Sequence, residues 1–119
     1  MSKYADVYLL PIPEENIPAY KKMATAAGKL FMKHGALRYR EYVASDLEVV
    51  EVVPFPKRIK LKPGETLVYA AVEFRSESHR NKAMKAIMND PGLQAMMPGK
   101  PPFDYKRMVY GGFKILVDL

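Results

Sequence analysis

The chain has 119 residues, a formal net charge of +6, 49% hydrophobic residues and no cysteine. This length suits one domain, and the absence of cysteine excludes disulfide bonds, thiolate metal sites and a cysteine nucleophile. No apolar run approaches the roughly 18 residues that span a bilayer, and the first residues lack the pattern of a signal peptide, so we expect one cytoplasmic domain over residues 1–119 and no membrane partner.

Hydrophobic patterning predicts the element order β-α-β-β-α-β. The predicted strands cover residues 4–12, 37–44, 66–74 and 108–117, the predicted helices cover 14–34 and about 77–89, and a further helical turn covers 93–97. Gly35 suits a left-handed cap at the end of the first helix, and Ser76 or Ser78 suits the N-cap of the second. This order is typical of a ferredoxin-like α+β domain, in which a four-stranded antiparallel sheet carries two helices on one face.

Residues 45–65 form the least regular part of the sequence. Prolines interrupt this segment, although the valines at 49–53 could add a short extended piece. Residues 57–62 hold four cations that could bind RNA phosphates, but no aromatic RNA-binding signature accompanies them. We favour a solvated edge strand at 60–62, where lysine would also block edge pairing, and we therefore do not favour nucleic acid as a partner.

Alternation along the strands predicts two sheet faces. We expect the helices to cover one set of residues, and we expect a second, tyrosine-bearing set to need another cover because large exposed apolar patches usually mark an interface or a groove. A two-fold homodimer in which the two sheets meet would cover this second face and would close an α+β barrel. The alternative is that residues 45–65 fold over this face in the same chain. The covered set is Ala5, Val7, Leu9, Val68, Ala70, Val72, Phe74, Val109, Phe113, Ile115 and Val117, and the second set is Tyr4, Asp6, Tyr8, Leu10, Leu67, Tyr69, Ala71, Glu73, Met108, Tyr110, Lys114 and Leu116.

Several segments of the sequence follow a pattern known from other proteins: Tyr4-Ala5-Asp6, residues 19–24, His34-Gly35-Ala36-Leu37, Phe55-Pro56, residues 60–66, His79-Arg80, Asp90-Pro91 and, most specifically, residues 102–113. In these segments the chain resembles the DUF1428 family of uncharacterised bacterial proteins. The resemblance covers essentially the whole chain and implies a dimeric α+β barrel. It implies no activity, because fold relatives include metal-free monooxygenases, haem-degrading enzymes and stress-response proteins.

The candidate ligand-binding residues come from the second face and from two other positions. Apolar walls with a few polar groups are typical of small-molecule sites, although the same side chains could only hydrogen-bond across a dimer contact. His79 could act as a general base or as a hydrogen-bond donor in a pocket, or it could simply pack. Arg107, before the last strand, could bind a carboxylate of a ligand or pair with Asp104. The predicted set is Tyr8, Tyr69, Glu73, His79, Arg107 and Tyr110.

No metal-site spacing, catalytic triad signature, phosphate loop or dinucleotide fingerprint is present in the sequence. We therefore expect no metal and no cofactor. The favoured hypothesis is a homodimer that binds a small molecule, or acts as a cofactor-free enzyme, in a pocket beside the sheet. The alternatives are a non-catalytic structural or interaction dimer and, less favoured, weak RNA binding through residues 57–62.

Overall fold

The computed structural model describes residues 3–96 and 99–119. The elements are β1 (Tyr4–Pro13), α1 (Ile17–Lys33), β2 (Arg38–Val43), β3 (Glu65–Phe74), α2 (Glu77–Met88), α3 (Pro91–Met96) and β4 (Val109–Lys114). The predicted order is confirmed; the predicted helical turn at 93–97 corresponds to α3, and its last residue, Met97, lies outside the described residues. Within the two described stretches, no helix has the length and hydrophobicity needed to cross a membrane.

The four strands form one antiparallel sheet in the order β2-β3-β1-β4. The two central strands are the long ones, at ten residues each, and the edge strands have six. The helices lie on one face, as the ferredoxin-like prediction requires.

The two helix ends predicted from sequence have the expected cap geometry. Gly35 has a φ of +99°, and the Ala36 amide donates to the Phe31 carbonyl at 3.0 Å, which closes a Schellman motif at the end of α1. At the start of α2, the Ser76 hydroxyl accepts from the His79 amide at 3.1 Å. Ser76, rather than Ser78, is therefore the N-cap.

The core lies between the sheet and the helices and consists of two clusters. One holds residues from the middle of β1 and the start of α1, and the other holds residues from the end of β3 and from α2. The buried members are Leu10, Ile12, Tyr20, Ala24, Val68 and Phe103 in the first cluster, and Ala36, Val72, Phe74 and Ala83 in the second.

The predicted division of the strands into two faces is wrong for β1 and β4. In the β1–β3 ladder Tyr8 lies opposite Ala70, and in the β1–β4 ladder it lies opposite Tyr110. The even-numbered residues of β1, β3 and β4 therefore share the helix-covered face. The open face instead carries Ala5, Val7, Leu9, Tyr69, Glu73, Val109 and Phe113.

Residues 45–65 cover only one end of the open face. Leu47 and Phe55 line a small space of about 160 Å³ together with Leu67 and Tyr69. The predicted extended piece at 49–53 is not a strand, and Val50 is 97% exposed. The predicted edge strand at 60–62 is wrong as well, because these residues form a loop before β3.

Candidate functional site

A cavity of about 240 Å³ lies between α1 and the helix-covered face of the sheet. Small side chains leave this space open: Ala24 and Ala27 on α1 and Ala70 on β3 all line it. We call it the inner cavity. The other lining residues are Tyr8, Leu10, Tyr20, Met23, Phe31, Tyr39, Glu41, Leu93, Met96, Phe103, Tyr105 and Met108.

One carboxylate stands in the wall of the inner cavity. Glu41 lies on β2, and its two oxygens accept the hydroxyl protons of Tyr20, from α1, and Tyr39, from the same strand. Burial and the hydrogen bond to Glu41 both raise the pKa of Tyr20 and of Tyr39 far above the ordinary value. At neutral pH the two tyrosines are therefore neutral donors to Glu41, and we call this arrangement the Tyr20–Glu41–Tyr39 bridge.

Close packing fixes the Tyr39 ring. It stacks on Phe31 with a centroid separation of 5.5 Å. On another side it lies against the backbone of Gly28, where a Cβ atom would come within 2.7 Å of Tyr39 Cδ1. The absence of a side chain at Gly28 therefore allows the Tyr39 ring to reach Glu41.

Tyr8 supplies a second kind of polar group to the inner cavity. None of the side-chain hydrogen bonds among residues 3–96 and 99–119 uses the Tyr8 hydroxyl. Burial and then the neighbouring Asp6 carboxylate raise the pKa of Tyr8 well above its usual range. The hydroxyl therefore stays protonated and can donate to an acceptor on a bound molecule.

A buried ion pair holds the aromatic partner of Tyr8. Asp6, with no exposed surface, accepts from Arg80 Nη1 at 2.6 Å and from the Tyr110 hydroxyl at 2.9 Å. The Tyr110 ring lies 4.8 Å from the Tyr8 ring, and the Arg80 guanidinium lies 4.7 Å above the Tyr4 ring. Because this network holds the Tyr110 ring in place, it also positions the Tyr8 ring that packs against it.

A second and larger concavity lies on the outside of α1. It measures about 810 Å³ and runs between α1 and the edge strand β2. We call it the outer groove. It shares Tyr20, Ala24, Tyr39 and Glu41 with the inner cavity, so the Tyr20–Glu41–Tyr39 bridge separates the two spaces.

The structure brings two of the six predicted site residues together. Tyr8 lines the inner cavity, and the Tyr110 ring packs against it at a tilt of 36°. Tyr69 and Glu73 lie on the opposite, open face, where Tyr69 packs 5.5 Å from Tyr42. A role for Tyr69 and Glu73 in ligand binding stays a prediction, and it would need a site on the open face.

The other two predicted residues hold parts of the chain together. His79 packs edge-on against Phe74, its Nδ1 accepts from the Arg75 amide at 3.1 Å, and burial lowers its pKa. Arg107 donates to both oxygens of Glu65 at 2.6 and 2.9 Å, so the predicted side-chain pair with Asp104 is not formed. Asp104 instead accepts from the Lys106 amide.

Sequence reasoning missed the residues of the Tyr20–Glu41–Tyr39 bridge. Tyr39 and Glu41 are two positions apart on one strand, which places them on the same face, and this is the only signal that the sequence offers for them. Tyr20 lies three and four positions from Ile17 and Ala24, so the sequence indicates only a member of the apolar side of α1. Within residues 3–96 and 99–119, no group of three His, Asp or Glu side chains is placed to hold a metal ion.

The fold and the cavity define the class: a ferredoxin-like α+β protein whose sheet and helices enclose a small space. Solved structures with this fold include a dimeric ferredoxin-like protein from an uncultured marine organism, at 12% identity, with a TM-score of 0.58 and full coverage of both chains. A putative antibiotic biosynthesis monooxygenase from Bacillus cereus matches at 12% identity with a TM-score of 0.64, over 100% of this chain and 96% of that one. SnoaB, a cofactor-independent oxygenase from Streptomyces nogalater, matches at 13% identity with a TM-score of 0.54, over 100% and 98%. At these identities the likeness shows the fold alone.

The chain belongs to DUF1428, a family described as proteins of unknown function, whose model matches residues 3–105. It is also 36% identical over 116 residues to the uncharacterised protein YbaA of Escherichia coli, with 98% of each chain covered. The YbaA protein of Shigella flexneri matches with the same identity and coverage. The resemblance to this family is therefore confirmed.

Proposed function

We propose that this protein is a homodimer whose subunits each bind a small, mainly apolar molecule in the inner cavity. The observation that carries the proposal is the Tyr8 hydroxyl, a protonated donor without a partner among the described residues, in a cavity with largely apolar walls. Apolar walls with a few placed polar groups are typical of small-molecule sites. The site is thus proposed on the helix-covered face, and not on the open face where the pattern of the strands had suggested it.

The dimer is proposed from the open face of the sheet. Val109 and Phe113 are 51% and 57% exposed, and they lie opposite Leu9 and Ala5 of β1. A second copy would bury this surface, and Arg38, opposite Glu73 at one edge, would add charged groups to the contact. One structural neighbour is described as dimeric, which supports a dimer for this fold.

An enzymatic use of the inner cavity is the second candidate. It is favoured by SnoaB, a cofactor-independent oxygenase of the same fold. A substrate with an acidic proton would find Glu41 as the one carboxylate in the cavity wall. Both Glu41 oxygens already accept a tyrosine proton, so the geometry favours binding over base catalysis.

Calorimetric titration with 1-tetralone, an apolar ketone whose oxygen can accept from Tyr8, tests the binding proposal. We expect Ala27→Phe to abolish binding, because the new ring would fill the inner cavity. Ala26→Phe, one position along α1 and outside the cavity lining, is the matched control. Tyr8→Phe should weaken binding about 3- to 10-fold, the usual worth of one hydrogen bond. Binding that survives Ala27→Phe in a folded protein would contradict the site.

A further inference from the structure

The outer groove has an uncompensated positive rim. Lys21 and Lys29 both line it from α1, with Thr25 halfway between them, and positions four apart on a helix share a face. Neither lysine forms a salt bridge with any residue in the described part of the chain. Among the described residues that line the groove, the one carboxylate is Glu41, which already accepts from two tyrosine hydroxyls.

The remaining wall of the outer groove is apolar. Ile17 and Met32 from α1 and Val43 and Val68 from the sheet line it. Met32 is 49% exposed and Val43 is 55% exposed, so this wall is open to solvent in the isolated chain. An apolar wall beneath two unpaired cations is complementary to a molecule with an apolar body and one anionic end.

We propose that the outer groove is a second binding site and that its ligand is an amphipathic carboxylate, with its apolar body in the groove and its carboxylate paired with Lys21 or Lys29. The proposal goes beyond the proposed function, because the Tyr20–Glu41–Tyr39 bridge separates the outer groove from the inner cavity. Positions 21 and 29 lie about 12 Å apart along α1, so the carboxylate hydrogen-bonds to one ammonium group while the other adds a longer-range attraction. Because the lysines lie at the rim, the charge of the ligand keeps contact with water while the apolar body is buried.

Three probes with the same apolar body test the charge preference: octanoate, 1-octanol and octylammonium. Calorimetric titration at pH 7.5 and low salt should give the order octanoate, then octanol, then octylammonium, from tight to weak. Added sodium chloride should weaken octanoate binding and leave octanol binding almost unchanged, because salt screens only the charged contact. Equal affinity for octanoate and octanol would overturn the proposed ligand class.

Charge-removing variants locate the preference. The double variant Lys21→Gln/Lys29→Gln should weaken octanoate binding about 2- to 5-fold, as expected for the loss of one exposed ion pair together with a second nearby cation, and should not weaken octanol binding. Lys82→Gln/Lys85→Gln, on α2 and outside the groove lining, removes the same charge and should change neither affinity. An equal loss in both double variants would show a general charge effect and overturn the site.

The outcomes separate this inference from the proposed function. If octanol and octanoate bind equally and Ala27→Phe abolishes both, the inner cavity stands and the ligand class fails. If octanoate is preferred and Ala27→Phe leaves its affinity unchanged, as expected for a separate site, the outer groove stands and the 1-tetralone titration decides the inner cavity. If no probe binds, the ligand class fails, and the 1-tetralone titration decides the inner cavity on its own.

Discussion

Gly112 shows how a single residue without a side chain makes room for the buried ion pair. It lies opposite Asp6 in the β1–β4 ladder. A Cβ atom at position 112 would lie 2.1 Å from the Tyr4 hydroxyl oxygen. A glycine pair inside a strand is typical of a bulge or of a close approach of another group. Here the register is regular, and the Tyr4 side chain fills the space above Gly112.

Gly112→Ala should destabilise the protein by about 1–3 kcal/mol, the usual cost of overpacking, because the new methyl group must push Tyr4 away from Arg80. Urea unfolding followed by circular dichroism measures the loss. Gly111→Ala is the matched control, since its Cβ would meet only the Phe113 ring, at 3.3 Å. Equal losses in the two variants would mean that the position of Tyr4 does not depend on Gly112.

The Asp6–Arg80 pair gives a second prediction at the same scale. Asp6→Asn keeps the shape but leaves the Arg80 guanidinium, 16% exposed, with only the exposed Glu77 carboxylate at 3.9 Å as a counter-charge. We expect a loss of about 3 kcal/mol in the free energy of unfolding, typical of a buried pair that loses one partner. A double-mutant cycle with Arg80→Met in urea isolates the coupling between the two side chains. If the two single losses add without a coupling energy, the pair does not act as a unit.

At the scale of elements, the sequence was sufficient for their order and for two helix caps, but not for the pairing of strand faces. Alternation shows which residues of one strand share a face, and it does not show which set of the next strand joins them. In β1 both sets are largely apolar, so hydrophobicity could not decide between Val7 and Tyr8 as the helix-covered side. The inner cavity was missed for the same reason, since it depends on Tyr8 and Glu41 facing α1.

Asp90 joins the end of α1 to the start of α3. One of its oxygens accepts from Lys33 at 2.8 Å and lies 2.7 Å from His34 Nε2, and the other accepts from the Gly92 amide at 2.8 Å. The hydrogen bonds from Lys33, from His34 and from Gly92 hold the pKa of Asp90 well below its ordinary value. The carboxylate therefore stabilises the fold only while it is ionised.

This contact predicts a dependence of stability on pH. Because the folded pKa of Asp90 is depressed, its contribution is complete above the unfolded value of about 4 and is lost as the pH falls through the folded value. The free energies of unfolding of the wild-type protein and of Asp90→Asn are measured in urea between pH 6 and pH 2. The wild-type protein should be the more stable of the two at pH 6, and the difference should shrink below about pH 4. A difference that stays constant over this range would contradict the contact.

At the scale of the whole molecule, the helices and the segment 45–65 divide the sheet unequally. The helices cover one face, while residues 45–65 cover only the end of the other near Leu67. Tyr69, Val109 and Phe113 remain between 38% and 57% exposed on that second face. Large apolar patches on isolated chains usually mark an interface, and a two-fold contact is the commonest way to close one.

Phe113→Asp should therefore convert a dimer into a single copy, because two carboxylates would be brought into an apolar contact without partners. Sedimentation equilibrium at micromolar concentration measures the mass of the species. Met88→Asp, which changes a 66%-exposed methionine on α2, is the matched control and should stay dimeric, since α2 lies on the helix-covered side of the sheet. A wild-type protein that sediments as one copy would remove the dimer and would leave the inner cavity, which lies within one subunit, to be tested separately.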